Sequence, residues 1–170
     1  MTSYRFDLPD AAATRRLGLR LAALLRAGDL VILSGDLGAG KTTLTQGIGA
    51  GLGVRGQVAS PTFIVARGHP PLEPGRPGLV HVDAYRLGSL EELDALDLDS
   101  SLDEAVTVVE WGAGLAEELS PDRLEISLLR ERGGQYHPER DDPEAGLRVA
   151  TIEAVGARWD GVDLFVALAG

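Results

Sequence analysis

The most constraining feature of this sequence is a glycine-rich octapeptide between a short apolar run and a helical segment. Residues 35–42 are Gly-Asp-Leu-Gly-Ala-Gly-Lys-Thr and fit the pattern G-x-x-x-x-G-K-[ST]. The apolar run at 30–33 is typical of a strand covered on both faces in a parallel sheet. Glycines let backbone N–H groups turn inward around a phosphate, and the following helix points its positive end at the same place. The spacing therefore predicts an α/β chain with a phosphate-binding loop.

The residues at the end of this loop favour a nucleotide as the ligand. Lys41 is the only lysine among sixteen basic residues, and at this position it can reach the outer phosphates of a nucleotide. The hydroxyl of Thr42 is placed to ligate Mg²⁺. We therefore expect ATP or ADP with Mg²⁺ as the cofactors. The predicted nucleotide-binding residues of the loop are Gly35, Asp36, Leu37, Gly38, Ala39, Gly40, Lys41, Thr42 and Thr43.

Two acidic residues follow further apolar runs. Asp83 is the first charged residue after the run at 79–82, and Glu110 is the first after the run at 106–109. Ligands of open parallel sheets lie beyond the carboxyl ends of the strands, so both carboxylates should share an edge with the glycine loop. Asp83 and Glu110 are therefore candidate magnesium ligands, and Glu110 is also a candidate for orienting an attacking water. The alternative is that each is a solvated carboxylate at the end of a strand.

The rest of the pattern indicates one α/β domain over residues 1–170 with a mixed sheet. Asp10 is placed to cap a helix over 11–26, and short helical pieces are expected at 89–104. Segments rich in Gly and Pro at 68–78 and 132–146 predict exposed loops. Strands are expected at 4–8, 30–33, 63–66, 79–82 and 106–109, and segments 124–128 and 147–152 alternate like antiparallel strands.

Composition restricts the class of protein. The formal net charge is -10 and the pI is about 4.7, which disfavours direct binding to nucleic acid. The chain has no cysteine, which excludes disulfides and thiolate metal sites. It has no run of about 18 apolar residues, so we expect no membrane span. These features are compatible with a cytoplasmic protein.

Four motifs in order resemble the TsaE (YjeE) family. They are Gly-Asp-Leu-Gly-Ala-Gly-Lys-Thr-Thr at 35–43, Ser-Pro-Thr-Phe at 60–63, His-Val-Asp-Ala-Tyr-Arg-Leu at 81–87 and Val-Glu-Trp at 109–111. The resemblance implies a three-layer P-loop NTPase fold with parallel central strands and antiparallel edge strands. It also implies a small ATPase, weak in isolation, that acts with the TsaD and TsaB proteins to make threonylcarbamoyladenosine next to the anticodon of tRNA. In that machinery it would reset the complex rather than build the modification, and tRNA would be reached only through the partners.

The resemblance also assigns roles to residues of this chain. Lys41 and Thr42 would hold phosphate and Mg²⁺, while Asp83 and Glu110 would form the acidic site. Three further assignments follow: Asp10 to Thr14 would line the base, Trp111 would belong to the same functional patch, and Arg148 would contact the nucleotide. Ser60 and Thr62 fall in a segment that resembles a nucleotide switch, although a Ser-Pro turn accounts equally well for their spacing.

Two other functions fit a chain of this size with a phosphate-binding loop. One is a small-molecule kinase, in which Arg130, Arg132 and Arg140 would close over a phosphate as lid arginines. For these arginines the simpler interpretation is a solvated loop. The other is an interaction module that is gated by nucleotide and has no useful turnover.

Overall fold

A computed structural model describes residues 2–36, 38–58, 66–84, 91, 103–114, 116–130 and 147–169. The strands are β1 (Thr2–Leu8), β2 (Leu30–Gly35), β3 (Ala66–His69), β4 (Gly78–Asp83), β5 (Ala105–Glu110), β6 (Arg123–Arg130) and β7 (Arg148–Val155). The helices are α1 (Ala11–Leu24), α2 (Lys41–Leu52) and α3 (Leu164–Leu168), with 3₁₀ turns at Ala116–Leu119 and Ala157–Trp159.

The described strands form one mixed sheet in the order β1-β7-β6-β2-β5-β4-β3. The four central strands, β6, β2, β5 and β4, are parallel to one another. The outer strands β1, β7 and β3 pair antiparallel. This arrangement confirms the predicted α/β fold with a parallel centre and antiparallel edges.

The pairing of β6 corrects one expectation. Its residues alternate between buried and partly exposed, as predicted for an antiparallel strand, but β6 pairs antiparallel only with β7 and parallel with β2. Alternation reports that one face of a strand reaches solvent, which is common in antiparallel sheets but does not require both neighbouring strands to be antiparallel.

Apolar side chains cover both faces of the sheet. Residues 30–33 of β2 are at most 2% exposed, as the continuous apolar run predicted. One face packs against α1, α2 and α3 through a cluster that includes Leu21, Ile48 and Leu164. The other face forms a smaller cluster that includes Val82, Val109 and Ala116. The sheet is therefore a middle layer with packed elements on both sides.

Several predicted boundaries shift by a few residues. The helix predicted over 11–26 ends at Leu24, because Leu25 is already extended although its side chain is buried. The loop predicted at 68–78 is shorter, since Gly68 and His69 belong to β3 and Gly78 begins β4. The strand predicted at 63–66 lies outside the described residues apart from Ala66. The helical pieces at 89–104, apart from 91 and 103–104, and the loop at 132–146 also lie outside them.

Two glycines bring α1 and α2 into backbone contact, which places the start of α1 beside the glycine loop. A Cβ atom on Gly47 would lie 2.3 Å from the carbonyl oxygen of Arg15. A Cβ atom on Gly18 would lie 2.4 Å from the carbonyl oxygen of Leu44. Neither distance is compatible with a side chain, so the helices can approach this closely only with glycine at both positions.

We expect Gly47→Ala to lower the free energy of unfolding by about 2 kcal/mol, because the clash is with rigid backbone. This is the net loss, because the clash itself costs up to about 3 kcal/mol and alanine in a helix interior offsets about 0.8–1 kcal/mol of it. Gly68→Ala is the control, since a Cβ atom on Gly68 would have no described residue within 4 Å besides its two neighbours in the chain. Urea unfolding measures both variants. An unfolding free energy for Gly47→Ala equal to that of the wild type would contradict the close helix contact.

Candidate nucleotide-binding site

The glycine loop leaves β2 and enters α2 through conformations that favour glycine. Gly35 has φ 145°, and a Cβ atom there would lie 2.4 Å from the carbonyl oxygen of Leu128. Gly40, with φ 104°, stands at the N-cap of α2, and no side chain among the described residues caps that helix end. Between them, Ala39 donates its N–H to the carbonyl of Asp36 at 3.0 Å. The backbone N–H groups in the first turn of α2 have no acceptor within the helix, so a bound anion can accept hydrogen bonds from them.

Lys41 is folded back onto the loop that precedes it. Its side chain is buried, and its Nζ donates to the carbonyl oxygens of Gly35 at 2.7 Å and Asp36 at 3.0 Å. The same Nζ lies 4.0 Å from the centre of the Trp111 ring. Burial lowers the pKa of Lys41, and the nearby carboxylates, first Glu110 and then Asp36 and Asp83, partly oppose this shift. The ammonium group is thus held by groups of the loop itself.

The two predicted acids lie side by side at the carboxyl edge of the sheet. Asp83 ends β4 and Glu110 ends β5, and the two residues are directly paired in the parallel register. The next residue, Ala84, donates its N–H to the carbonyl of Glu110 at 2.8 Å. Glu110 is only 4% exposed, and its Oε1 accepts a hydrogen bond from the hydroxyl of Thr42 at 3.4 Å. The register therefore brings the acids to the first turn of α2, as the strand pattern predicted.

Glu110 has a second partner that sequence reasoning missed. The Nε2 atom of His81 lies 2.5 Å from Oε2 of Glu110, and the histidine side chain is completely buried. In the sequence this histidine is one mid-strand residue of an apolar run and carries little signal. The sequence signal that could have found it is its position two residues before Asp83. Residues two apart on a strand share a face, so His81 lies on the same face of β4 as a predicted acid of the site.

Trp111 sits at the turn that follows β5. It is the single non-glycine residue with positive φ in the described part of the chain, at 61°. Its N–H donates to the carbonyl of Leu33 at 2.8 Å, which ties the turn to the end of β2. A residue keeps such a sparsely populated backbone conformation only when the surrounding structure stabilises it. Here the held conformation keeps the indole ring beside Lys41.

Two more predicted residues flank the glycine loop. The guanidinium Nη2 of Arg148, a buried residue, donates to the carbonyl of Gly38 at 3.4 Å. A Cβ atom on Gly40 would lie 3.6 Å from both Arg148 Cδ and Thr14 Cγ2. Asp10 lies one turn earlier and caps α1 by accepting the N–H of Ala13 at 2.8 Å. Thr14 and Arg148 are therefore placed at the loop, whereas the contact observed for Asp10 is with its own helix.

Comparison with known proteins assigns the family. The sequence model described as "Threonylcarbamoyl adenosine biosynthesis protein TsaE" matches residues 8–139, a range that contains the glycine loop and both acids. The chain belongs to the TsaE family. It is accordingly a protein of tRNA threonylcarbamoyladenosine biosynthesis.

Individual TsaE relatives cover nearly the whole chain. The "tRNA threonylcarbamoyladenosine biosynthesis protein TsaE" of Streptomyces coelicolor is 57% identical over 157 residues, covering 92% of this chain and 99% of that protein. The protein of the same name from Bacillus subtilis is 36% identical over 161 residues, covering 94% and 91%. The crystal structure of Bacillus subtilis YdiB aligns with a TM-score of 0.68 at 30% identity, covering 94% of this chain and 90% of that one.

Some predicted site residues are outside the described part of the chain. Leu37, Ser60 and Thr62 are among them, as are two of the three proposed lid arginines, Arg132 and Arg140, whereas Arg130 ends β6. The described residue nearest the segment at 60–63 is Val58, whose carbonyl accepts a hydrogen bond from Nε2 of Gln46 at 3.0 Å. Gln46 lies one turn after Thr42 on α2. The helix that follows the glycine loop is therefore bonded to the chain just before that segment.

The side chains at the sheet edge match the ligands that magnesium takes in nucleotide sites. In the described part of the chain, no group of three or more His, Asp or Glu side chains is arranged to hold a metal by itself. Magnesium in such sites is held by one or two carboxylates together with substrate phosphates and water. Thr42, Asp83 and Glu110 supply a hydroxyl and two carboxylates, so this set suits a magnesium ion that arrives with a nucleotide.

Proposed function

We propose that this TsaE-family chain binds Mg-ATP and hydrolyses it as the ATPase subunit of the tRNA threonylcarbamoyladenosine machinery, acting on the TsaD and TsaB proteins. The observation that carries the proposal is the meeting of Lys41, Thr42, Asp83 and Glu110 at one edge of the sheet. These residues combine a phosphate cradle, a cation and two acids. Binding, neutralising and cleaving a polyphosphate requires these groups together.

Lys41 is the residue that would change partner when ATP binds. Its Nζ is bonded to two carbonyl oxygens of the loop, each carrying only a partial negative charge. Phosphate oxygens carry full charges and form stronger, charge-assisted hydrogen bonds with ammonium. We therefore expect Lys41 to release the carbonyls of Gly35 and Asp36 and to bind the outer phosphates. The Trp111 ring, whose centre lies 4.0 Å from Nζ, would limit the positions that Nζ can take.

Thr42, Asp83 and Glu110 would hold the magnesium ion. When bound, Mg²⁺ supplies charge neutralisation between the phosphate oxygens. The Thr42 hydroxyl donates its hydrogen to Oε1 of Glu110 and has two lone pairs besides, so it could ligate the ion without breaking that hydrogen bond. The Glu110 carboxylate has lone pairs beyond those used by Thr42 and His81, so it could also accept a hydrogen bond from the attacking water. Glu110 is nearly buried and Asp83 is partly exposed, so the two acids face different amounts of solvent.

One feature favours slow turnover by the chain alone. The Lys41 ammonium has two hydrogen-bond partners within the protein itself, the carbonyls of Gly35 and Asp36. Releasing them costs free energy that binding must offset. A partner that favours the released arrangement would raise turnover, which agrees with an ATPase that depends on TsaD and TsaB.

The charge of the chain favours indirect contact with tRNA in the cytoplasm. The formal net charge is -10, and phosphate contacts supply most of the non-specific affinity for nucleic acids. We therefore expect tRNA to be reached through the partner proteins. No helix that the structure describes is long and apolar enough to span a bilayer.

An assay of the products separates this function from a small-molecule kinase. The chain is incubated with Mg-ATP and a metabolite mixture, with and without TsaD and TsaB, and both free phosphate and phosphorylated metabolites are quantified. We expect free phosphate only, released faster when the partners are present. A phosphorylated metabolite formed in proportion to ATP consumed would identify a kinase, and absence of ATP consumption in all mixtures would leave a nucleotide-gated interaction module.

A further inference from the structure

The buried histidine beside Glu110 is not used by the function proposed above. His81 lies in the middle of β4, its side chain has 0% exposure, and its Nε2 is 2.5 Å from Oε2 of Glu110. The paired strands place both side chains on the face of the sheet that α2 covers. Leu79 and Val108 lie on this same face, in the same core cluster as the apolar side chains of α2. Glu110 meets Thr42 from that face as well.

A purely structural role explains this histidine poorly. Its second nitrogen, Nδ1, is buried and has no hydrogen-bond partner among the described residues. A buried polar atom without a partner costs free energy, and an apolar side chain of similar size would avoid that cost at this position. The compensating contact that the structure offers is the bond to Glu110. The imidazole is therefore tied to the carboxylate rather than to the surrounding core.

The bond from His81 determines which way the carboxylate of Glu110 faces. Oε2 accepts from the imidazole of His81, and Oε1 is directed at the hydroxyl of Thr42. With one oxygen held, rotation of the carboxylate about its last bond is restricted. The other oxygen then remains directed at the first turn of α2. Partners that orient a ligating carboxylate in this way typically change metal affinity or activity by about 10- to 100-fold when they are removed.

We propose that His81 is a positioning residue: it fixes the Glu110 carboxylate by donating Nε2–H to Oε2, so that Oε1 faces Thr42 and the magnesium bound with ATP. This inference rests on the proposed function, because it assigns His81 a role through a carboxylate of that site. His81 itself would contact neither nucleotide nor metal.

The test compares two substitutions that differ in one hydrogen-bond donor. His81→Leu removes the donor, whereas His81→Gln places an amide N–H close to the position of Nε2. ATP affinity is measured by calorimetry with Mg²⁺ and again with EDTA, and the ratio of the two affinities reports the contribution of magnesium. We expect His81→Leu to reduce this ratio by about 10-fold or more, to leave the affinity in EDTA unchanged, and His81→Gln to restore most of the ratio.

Two further variants separate positioning from loss of structure. Thr107→Val is the control, because Thr107 is also completely buried and its hydroxyl has no hydrogen-bond partner in the described part of the chain, but it lies on the opposite face of the sheet. It should leave the ratio unchanged. In a Glu110→Gln background, His81→Leu should cause no additional loss, since a residue that acts only through Glu110 has nothing left to position. If His81→Leu does not fold, His81→Asn replaces it, because its shorter amide does not reach Glu110.

The outcomes distinguish the two proposals. If the wild type shows no effect of magnesium on ATP affinity, the proposed magnesium site fails and the role of His81 fails with it. If the wild type shows the effect and a folded His81→Leu or His81→Asn keeps it, only the positioning role is overturned. Equal losses in the Gln and Leu variants, accompanied by a loss of affinity in EDTA, would also overturn it, because that pattern belongs to a structural residue.

Discussion

Lys41→Ala is expected to weaken Mg-ATP binding by about 10- to 100-fold while the protein stays folded. A hydrogen bond to a charged group contributes about 1.5–3 kcal/mol, which corresponds to that range. The fold should not suffer, because burial lowers the pKa of Lys41 and the substitution removes a cation that the folded protein must desolvate. The carbonyls of Gly35 and Asp36 that it leaves belong to partly exposed or exposed residues, so water can replace it.

Calorimetry with Mg-ATP measures this effect, and thermal unfolding checks the fold. Arg5→Ala is the matched control, since it also removes one positive charge but from an exposed side chain on β1. We expect the control to bind like the wild type. Equal ATP affinity in Lys41→Ala and in the wild type would refute the assignment of residues 35–42 as the phosphate-binding loop.

Glu110→Gln and Asp83→Asn are expected to keep nucleotide binding, with a smaller contribution from magnesium, and to lose about 100-fold or more of the ATP turnover in the partner complex. Each substitution preserves shape and removes one negative charge at the sheet edge, where a divalent cation in a partly desolvated site depends on it. Binding persists because the glycine loop and Lys41 still hold the phosphates. The measurement is the rate of phosphate release with TsaD and TsaB at saturating ATP.

The control for the acids is Glu125→Gln. Glu125 lies on β6, where its carboxylate accepts from Arg123 at 2.7 Å, and it is 30% exposed. The same chemical change there should leave turnover unchanged. Turnover at the wild-type rate in both Asp83→Asn and Glu110→Gln would show that these carboxylates are ordinary strand ends.

The sequence was sufficient to predict the parts of the site that depend on local pattern. The run at 30–33 and the glycines after it predicted β2, the loop and α2 because burial on both faces and positive φ each require particular residue types. The meeting of Asp83 and Glu110 followed from one further rule, that parallel strands end at the same edge. The structure has both acids in direct register.

The remaining contacts depend on pairings that local pattern does not encode. His81 meets Glu110 only because β4 and β5 pair in one particular register. Arg148 reaches Gly38 only because β7 is inserted between β1 and β6. The helix α3 was missed because five residues give too short a periodic pattern, although Asp163 caps it by accepting from Phe165 N–H at 3.0 Å. The length of helix α1 was overestimated because Leu25 continues the apolar pattern in an extended conformation.

The most direct test of the central claim is the formation of threonylcarbamoyladenosine in unmodified tRNA by the reconstituted pathway with TsaD and TsaB. If this chain resets the complex by hydrolysing ATP, one round of modification per complex should occur without it, and further rounds should require both the chain and ATP. A non-hydrolysable ATP analogue, or the Lys41→Ala variant in place of the wild type, should stop the reaction after that first round. Many rounds of modification with the analogue, or without the chain, would contradict the account.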